Sequence, residues 1–261
     1  MRQRRWRVSR LVWIELFALS GLTLFLLAPQ LVLRAEDGAI HGMHEGMSMS
    51  MPMESSVDAA TQAALLAWKR ESEFNHHLAG FLVLAAGLLI LADRSIRRRW
   101  AVARHVWPIC FLASGIFLLI FSDTELWPFG SQSWYFGLTH HAEVLQHKIF
   151  AALLLTLGLI ELQRERGVLK AAWSDWVFPI VAAAGSLMLF FHDHRAGMNG
   201  PDHMQVMRRI QSEHFSFAMT GFGIALSKGL SEKPSAWQPF FERLFPTLLV
   251  VLGVLLMVYV E

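Results

Sequence analysis

Residues 73–100 read "EFNHHLAGFLVLAAGLLILADRSIRRRW". Glu73, His76 and His77 open the stretch, an apolar run follows to about residue 93, and "RSIRRRW" closes it. A run of that length is near the roughly 20 residues a helix needs to cross a bilayer. Backbone groups in lipid find partners only within a helix or a closed barrel, and no ten-residue alternation points to a barrel. The stretch therefore reads as a membrane helix. The arginine cluster behind it marks the cytoplasmic side and places the histidines on the other.

Six further apolar stretches lie outward from this one, at about 11–33, 106–123, 144–162, 175–192, 213–228 and 244–260. The chain has 261 residues, 54% apolar and 17% charged, and its net charge of +2 is too small to argue for a nucleic-acid partner. Cys110 is the one cysteine, which rules out an intramolecular disulfide and a cysteine metal cage. The expected fold is all-α, a polytopic membrane helical bundle. A signal or anchor helix occupies 1–34, an extracytoplasmic Met/His-rich segment with a short helix 35–72, and a six-helix membrane domain 73–261, arranged as three repeated hairpins. Basic loops at 94–104, 164–170 and 228–243 set the N-terminus inside and residue 261 outside. Arg195, Arg208 and Arg209 in the loop 193–213 go against that rule.

On this topology eleven of the twelve histidines fall at the outer face, and only His105 lies inside. Scattered core or surface histidines would divide between the two sides. The repeat sharpens the pattern. Glu73 and His77 recur as Glu143 and His147, and Asp123 recurs as Asp193. The returning helices share Pro108, Gly115 and Asp123; then Pro179, Gly185 and Asp193; then Pro246, Gly253 and Glu261. The third copy opens on His214 but has Ile210 where the others have Glu. About sixteen helical residues descend roughly 24 Å at 1.5 Å each, so the opening histidine and closing acid of each hairpin return to one height. Acids that merely end helices at the membrane edge are common, and Glu261 alone reads that way. Repetition points instead to a layer of ligands. His77, His147 and His214 are the expected central metal ligands, with Asp123 and Asp193 accepting their second ring N–H. His76, His140, His141, Glu73, Glu143, Met188 and His192 stand around them. His140, Glu143 and His147 share one helix face, as do Met188 and His192.

Residues 41–53 read "HGMHEGMSMSMPM". Met47, Met49, Met51 and Met53 alternate, which in an extended chain puts their sulfurs on one side, and His41, Met43 and His44 adjoin them. Thioether sulfur suits Cu(I), whereas zinc or iron would not need it. The plain reading is a low-complexity linker; the sharper one is a flexible collector of copper above a histidine-rich membrane site.

The multi-helix layout, "HH" and "EVLQH" at outer helix ends and the Met/His-rich outer segment resemble bacterial membrane copper-handling proteins of the copper-resistance protein D type. The resemblance implies copper uptake, delivery or tolerance and transfers no residue role. The expected partners are a metal ion, the lipid bilayer and a periplasmic copper chaperone. Two rivals remain. A membrane cytochrome would hold haem b between His77, His147, His192 and His214, although haem ligands usually lie deeper. A zinc-dependent membrane hydrolase would use three His, an Asp and an activated water, and leaves the methionines unexplained. No H-E-x-x-H, nucleophile elbow or phosphate loop occurs, so no catalytic residue is assigned.

Overall fold

The computed structural model describes residues 59–96, 104–191 and 203–260. These lie in one compact unit, Ser55–Glu261. The described residues form seven α-helices: α1 (Ala59–Ile96), α2 (Val106–Ile120), α3 (Trp134–His140), α4 (Ala142–Glu165), α5 (Val177–Leu189), α6 (His203–Ser231) and α7 (Gln238–Met257). A 3-10 turn, Ala172–Trp176, leads into α5. No strand occurs among them beyond an isolated bridge between Leu126 and Gln132.

The distribution of polarity is that of a membrane protein. Four segments are long and apolar enough to cross a membrane: Leu66–Ala92, Ala142–Glu165, Ala172–Leu189 and Gln238–Met257. Yet only 22% to 39% of the residues in their most apolar windows are buried. Phe81, Leu88, Ile116, Leu159, Ile180 and Leu226 face outward, whereas Ser114, Lys148, Glu161, Ser186, Glu213 and Thr220 are buried. An apolar exterior over an interior that mixes apolar and polar side chains suits lipid as the solvent, and intramembrane polar groups then turn inward.

The long helices pack in a closed circuit. Each of α1, α2, α4, α5, α6 and α7 contacts the next in that order, and α7 returns to α1. The tightest pairs are α1 with α7 and α2 with α4, which join one sequence hairpin to another. Small residues permit these approaches. A Cβ at Gly253 would stand 2.5 Å from the Leu84 nitrogen, and one at Gly115 would stand 3.0 Å from the Leu155 nitrogen.

The structure departs from the sequence reading in places. α1 runs without a break across position 73, because "AATQAALLAWKRES" is good helix-forming sequence leading straight into the apolar run. α2 has only 15 residues. The stretch 213–228 is helical within α6 but is not among the four candidate spans, since Glu213, His214, Ser216 and Lys228 dilute its hydropathy. The short α3, capped where the Ser133 hydroxyl accepts the Phe136 N–H at 3.2 Å, was not expected. The expected anchor helix and the Met/His segment lie outside the described residues.

Candidate functional site

The first turns of α4, the loop after α2, the middle of α1 and the far end of α7 meet at one end of the bundle. Asn75 Nδ2 donates to the Ser122 carbonyl at 3.3 Å, and the Glu71 carboxylate accepts from the Thr124 N–H at 3.3 Å and its hydroxyl at 3.1 Å. These contacts seat the loop so that Asp123 points into the bundle, 4% exposed.

Asp123 is the hub. One carboxylate oxygen accepts His147 Nδ1–H at 2.8 Å. The other accepts Lys148 Nζ at 2.6 Å and the Ser122 hydroxyl at 2.5 Å. Lys148 also donates to the Leu118 carbonyl and the Ser122 hydroxyl, both at 3.3 Å, and its ammonium lies 5.3 Å from the Trp134 ring centre. A cation adjacent to His147 thus offsets the buried carboxylate that orients it.

Three imidazoles line the interior at this end, and each has Nδ1 engaged. His76 Nδ1 meets the Ser72 carbonyl at 2.8 Å and His214 Nδ1 the Ile210 carbonyl at 2.8 Å, beside the His147–Asp123 bond. A carbonyl or carboxylate only accepts, so Nδ1 carries a proton in each ring. The His76 and His214 ring centres are 6.0 Å apart, and His76 stacks on Tyr259 at 4.0 Å. His77 stands otherwise. Its Nε2 is bonded to the Tyr259 carbonyl at 2.9 Å.

Two cavities meet at these rings. A polar vestibule of about 360 Å³ is lined by Glu71, Asp123, Glu125, Glu143, His141 and His147, among others. Burial, followed by the charges of Asp123, Glu71 and Glu143, pushes the Glu125 carboxyl above its usual range. Deeper in the bundle an apolar cavity of about 240 Å³ has walls from all six long helices. Asn75, His76 and His147 line both, and His214 lines the deeper one.

The sequence-derived ligands divide accordingly. His147 and His214 reach the cavities and His77 does not; its neighbour His76 does. Asp123 contacts His147, and Glu143 and His141 line the vestibule, where His141 Nε2 is buried without a hydrogen bond. Glu73 pairs with Lys69 at 3.9 Å along α1. His140 is exposed, stacked on Phe136 at 4.4 Å with Nδ1 2.7 Å from the Thr139 hydroxyl. Met188 is half-buried near the end of α5 and lines neither cavity. His192, Asp193, His41, Met43, His44, Met47, Met49, Met51 and Met53 lie outside the described residues. Among the described residues, no group of three or more His, Cys, Asp or Glu is arranged to hold a metal ion.

Sequence reasoning passed over Lys148, whose signal was a lysine inside an apolar run. It also passed over an ion-paired cluster at the other end. Arg164 reaches Glu161 at 2.8 Å, Asp175 at 2.7 Å and Glu232 at 3.2 Å, and Lys228 reaches Glu232 at 2.6 Å. A polar cavity of about 530 Å³ adjoins it.

Fold and site together define a class: the described residues form a helical membrane bundle whose interior is histidine-lined at one end and ion-paired at the other. No family model matches the sequence, and neither does any curated protein or solved structure.

Proposed function

We propose that the chain binds copper at its histidine end and serves copper uptake, delivery or tolerance in a bacterial inner membrane, with that end extracytoplasmic. The observation that carries the reading is the set of His76, His147 and His214 around one interior mouth, each with Nδ1 held by an oxygen. Metal-bound histidines commonly donate their other ring N–H in this way, which fixes the tautomer and raises the basicity of the ligating nitrogen. Rings whose centres are 6.0 Å apart, as in His76 and His214, can share one ion bound at about 2 Å from each nitrogen. In this reading the methionines of 41–53 collect Cu(I) and deliver it to the imidazoles, and the carboxylates of the vestibule draw the cation inward. The expected three hairpins would carry the histidines, with the tract following the expected signal or anchor helix of 1–34. The expected periplasmic copper chaperone docks at this face.

Copper is favoured over haem b by size: about 240 Å³ is below the roughly 300–1,000 Å³ of ordinary cofactor pockets. It is favoured over zinc by the methionines. The test is metal analysis with an absorption spectrum of the purified protein. Bound copper without a Soret band is the expected result; a Soret band, or no copper above background after loading and desalting, overturns the reading. Deleting 41–53 is expected to weaken capture at low copper while leaving copper bound at the bundle.

A further inference from the structure

The loop after α2 and the short α3 form an ordered element with an apolar outer side. Its backbone is tied by hydrogen bonds from the Leu126 N–H to the Asp123 carbonyl at 3.1 Å, from Trp127 to Gln132 at 2.9 Å and from Gln132 to Glu125 at 3.0 Å. Leu126 is buried beneath Gly137, where a Cβ would stand 2.6 Å from its side chain. Trp134 turns inward: its Nε1–H donates to the Trp127 carbonyl at 2.7 Å and its ring lies beside Lys148. The acids Asp123 and Glu125 line the vestibule. What the element turns outward is aromatic, with Trp127, Phe129, Tyr135 and Phe136 exposed by 68%, 54%, 77% and 44%.

These side chains continue the outer flank of the bundle. Phe74 on α1 meets Phe117 on α2 with ring centres 6.0 Å apart, Phe117 meets Phe121 at 5.9 Å, and Phe121 meets Phe129 at 5.3 Å. Phe74 and Phe121 are exposed too, so one aromatic ridge runs from the helix flank onto the loop. The element also sits at the level where the α4 span begins, at Ala142. Tryptophan and tyrosine, apolar in body and polar at the tip, gather at that level of a membrane. We propose that residues 121–136 are an interfacial foot: the loop and α3 lie in the headgroup layer of the leaflet at the histidine end, with Trp127, Phe129 and Tyr135 sunk toward the acyl chains. The partner is a neutral lipid surface. No lysine or arginine occurs in 121–147, so apolar burial holds the foot without attraction to anionic headgroups. The assignment rests on the membrane reading of the fold and is independent of copper.

The test uses the full-length protein in phosphatidylcholine nanodiscs, with the buried Cys110 replaced by Ser. A spin label is attached at Phe129→Cys, Tyr135→Cys, Leu159→Cys or Lys170→Cys. Leu159, outward on the α4 span, calibrates lipid, and the exposed Lys170 calibrates water. Power-saturation EPR measures access of oxygen, which concentrates in lipid, and of chromium oxalate, which stays in water. At Phe129 and Tyr135 oxygen access is expected to exceed chromium-oxalate access, at a shallower depth than Leu159, with the order reversed at Lys170. Adding phosphatidylglycerol is expected to change neither foot site. Water-like values at both foot sites with Leu159 in lipid overturn the proposal. So does shielding from both reagents, which would mean a protein partner or a second copy covers the patch, and so does insertion that needs phosphatidylglycerol. A water-like Leu159 overturns the membrane reading and the foot with it. If one foot variant fails to fold, the other decides.

Discussion

His76 and His77 stand side by side in α1 and meet different partners. His76 Nδ1 bonds to the Ser72 carbonyl one turn back, whereas His77 Nε2 is taken by the Tyr259 carbonyl across the bundle. In the copper reading His76→Ala lowers affinity more than His77→Ala, and Asp123→Asn costs on the order of the 10–100-fold typical of groups that orient a ligand. Competition with a chromogenic Cu(I) chelator measures all three; equal losses at His76 and His77 would remove His76 from the site. Lys148 carries a second prediction. With side-chain exposures of 8% and 4%, Lys148 and Asp123 are a buried pair at 2.6 Å. Removing one partner of such a pair costs about 3–5 kcal/mol, because the other charge stays buried without it. Lys148→Met is therefore expected to lower the melting temperature in detergent far more than Lys170→Met, a change in the loop before the 3-10 turn.

Two of the glycines at matching repeat positions act as contact points between helices. Gly253 on α7 packs against the backbone of α1 at Leu84, and Gly115 on α2 against α4 at Leu155. Gly185 holds the equivalent place in the repeat, but a Cβ there would meet Phe150 at 3.5 Å and Leu153 at 3.7 Å, ordinary contact distances. Gly253→Ala forces α1 and α7 apart and is expected to cost about 1–3 kcal/mol, the range for overpacking. Gly185→Ala is expected to leave the melting temperature unchanged or raise it, since Ala is the better helix former. At the opposite end, just beyond α6, burial alone would raise the Glu232 carboxyl, but Lys228 and Arg164 outweigh it and hold it below its usual range. A depressed carboxyl stabilises the fold above its unfolded value and loses that contribution as pH falls through the folded one. Thermal stability should thus gain an acid limb below the ordinary glutamate range, measured by melting across pH, and Glu232→Gln should flatten it.

For the whole molecule, orientation is the prediction that matters most. Reporters placed in 94–104 and after residue 261 are expected on opposite sides of the membrane, the first cytoplasmic. Finding both on one side would separate the histidines from the single face on which the copper reading depends.

The sequence by itself determined the helical membrane class, because a backbone in lipid has so few options and long apolar runs state them directly. It also marked one end as rich in histidine and carboxylate, since Glu73, His77, Glu143 and His147 repeat in plain view. Part of the site was legible as well: Asp123 and His147 both belong to the expected layer, although helix geometry set Asp123 level with His77 and the structure pairs it with His147. Tertiary structure decided which histidine of a neighbouring pair turns inward, and this depends on helix rotation and on Tyr259 arriving from α7. It also decided that the long helices close into a circuit through α1 with α7 and α2 with α4, and that Lys148 meets Asp123. Those contacts join residues 25 to 182 positions apart. Local periodicity carries no record of such distances, and only packing supplies it.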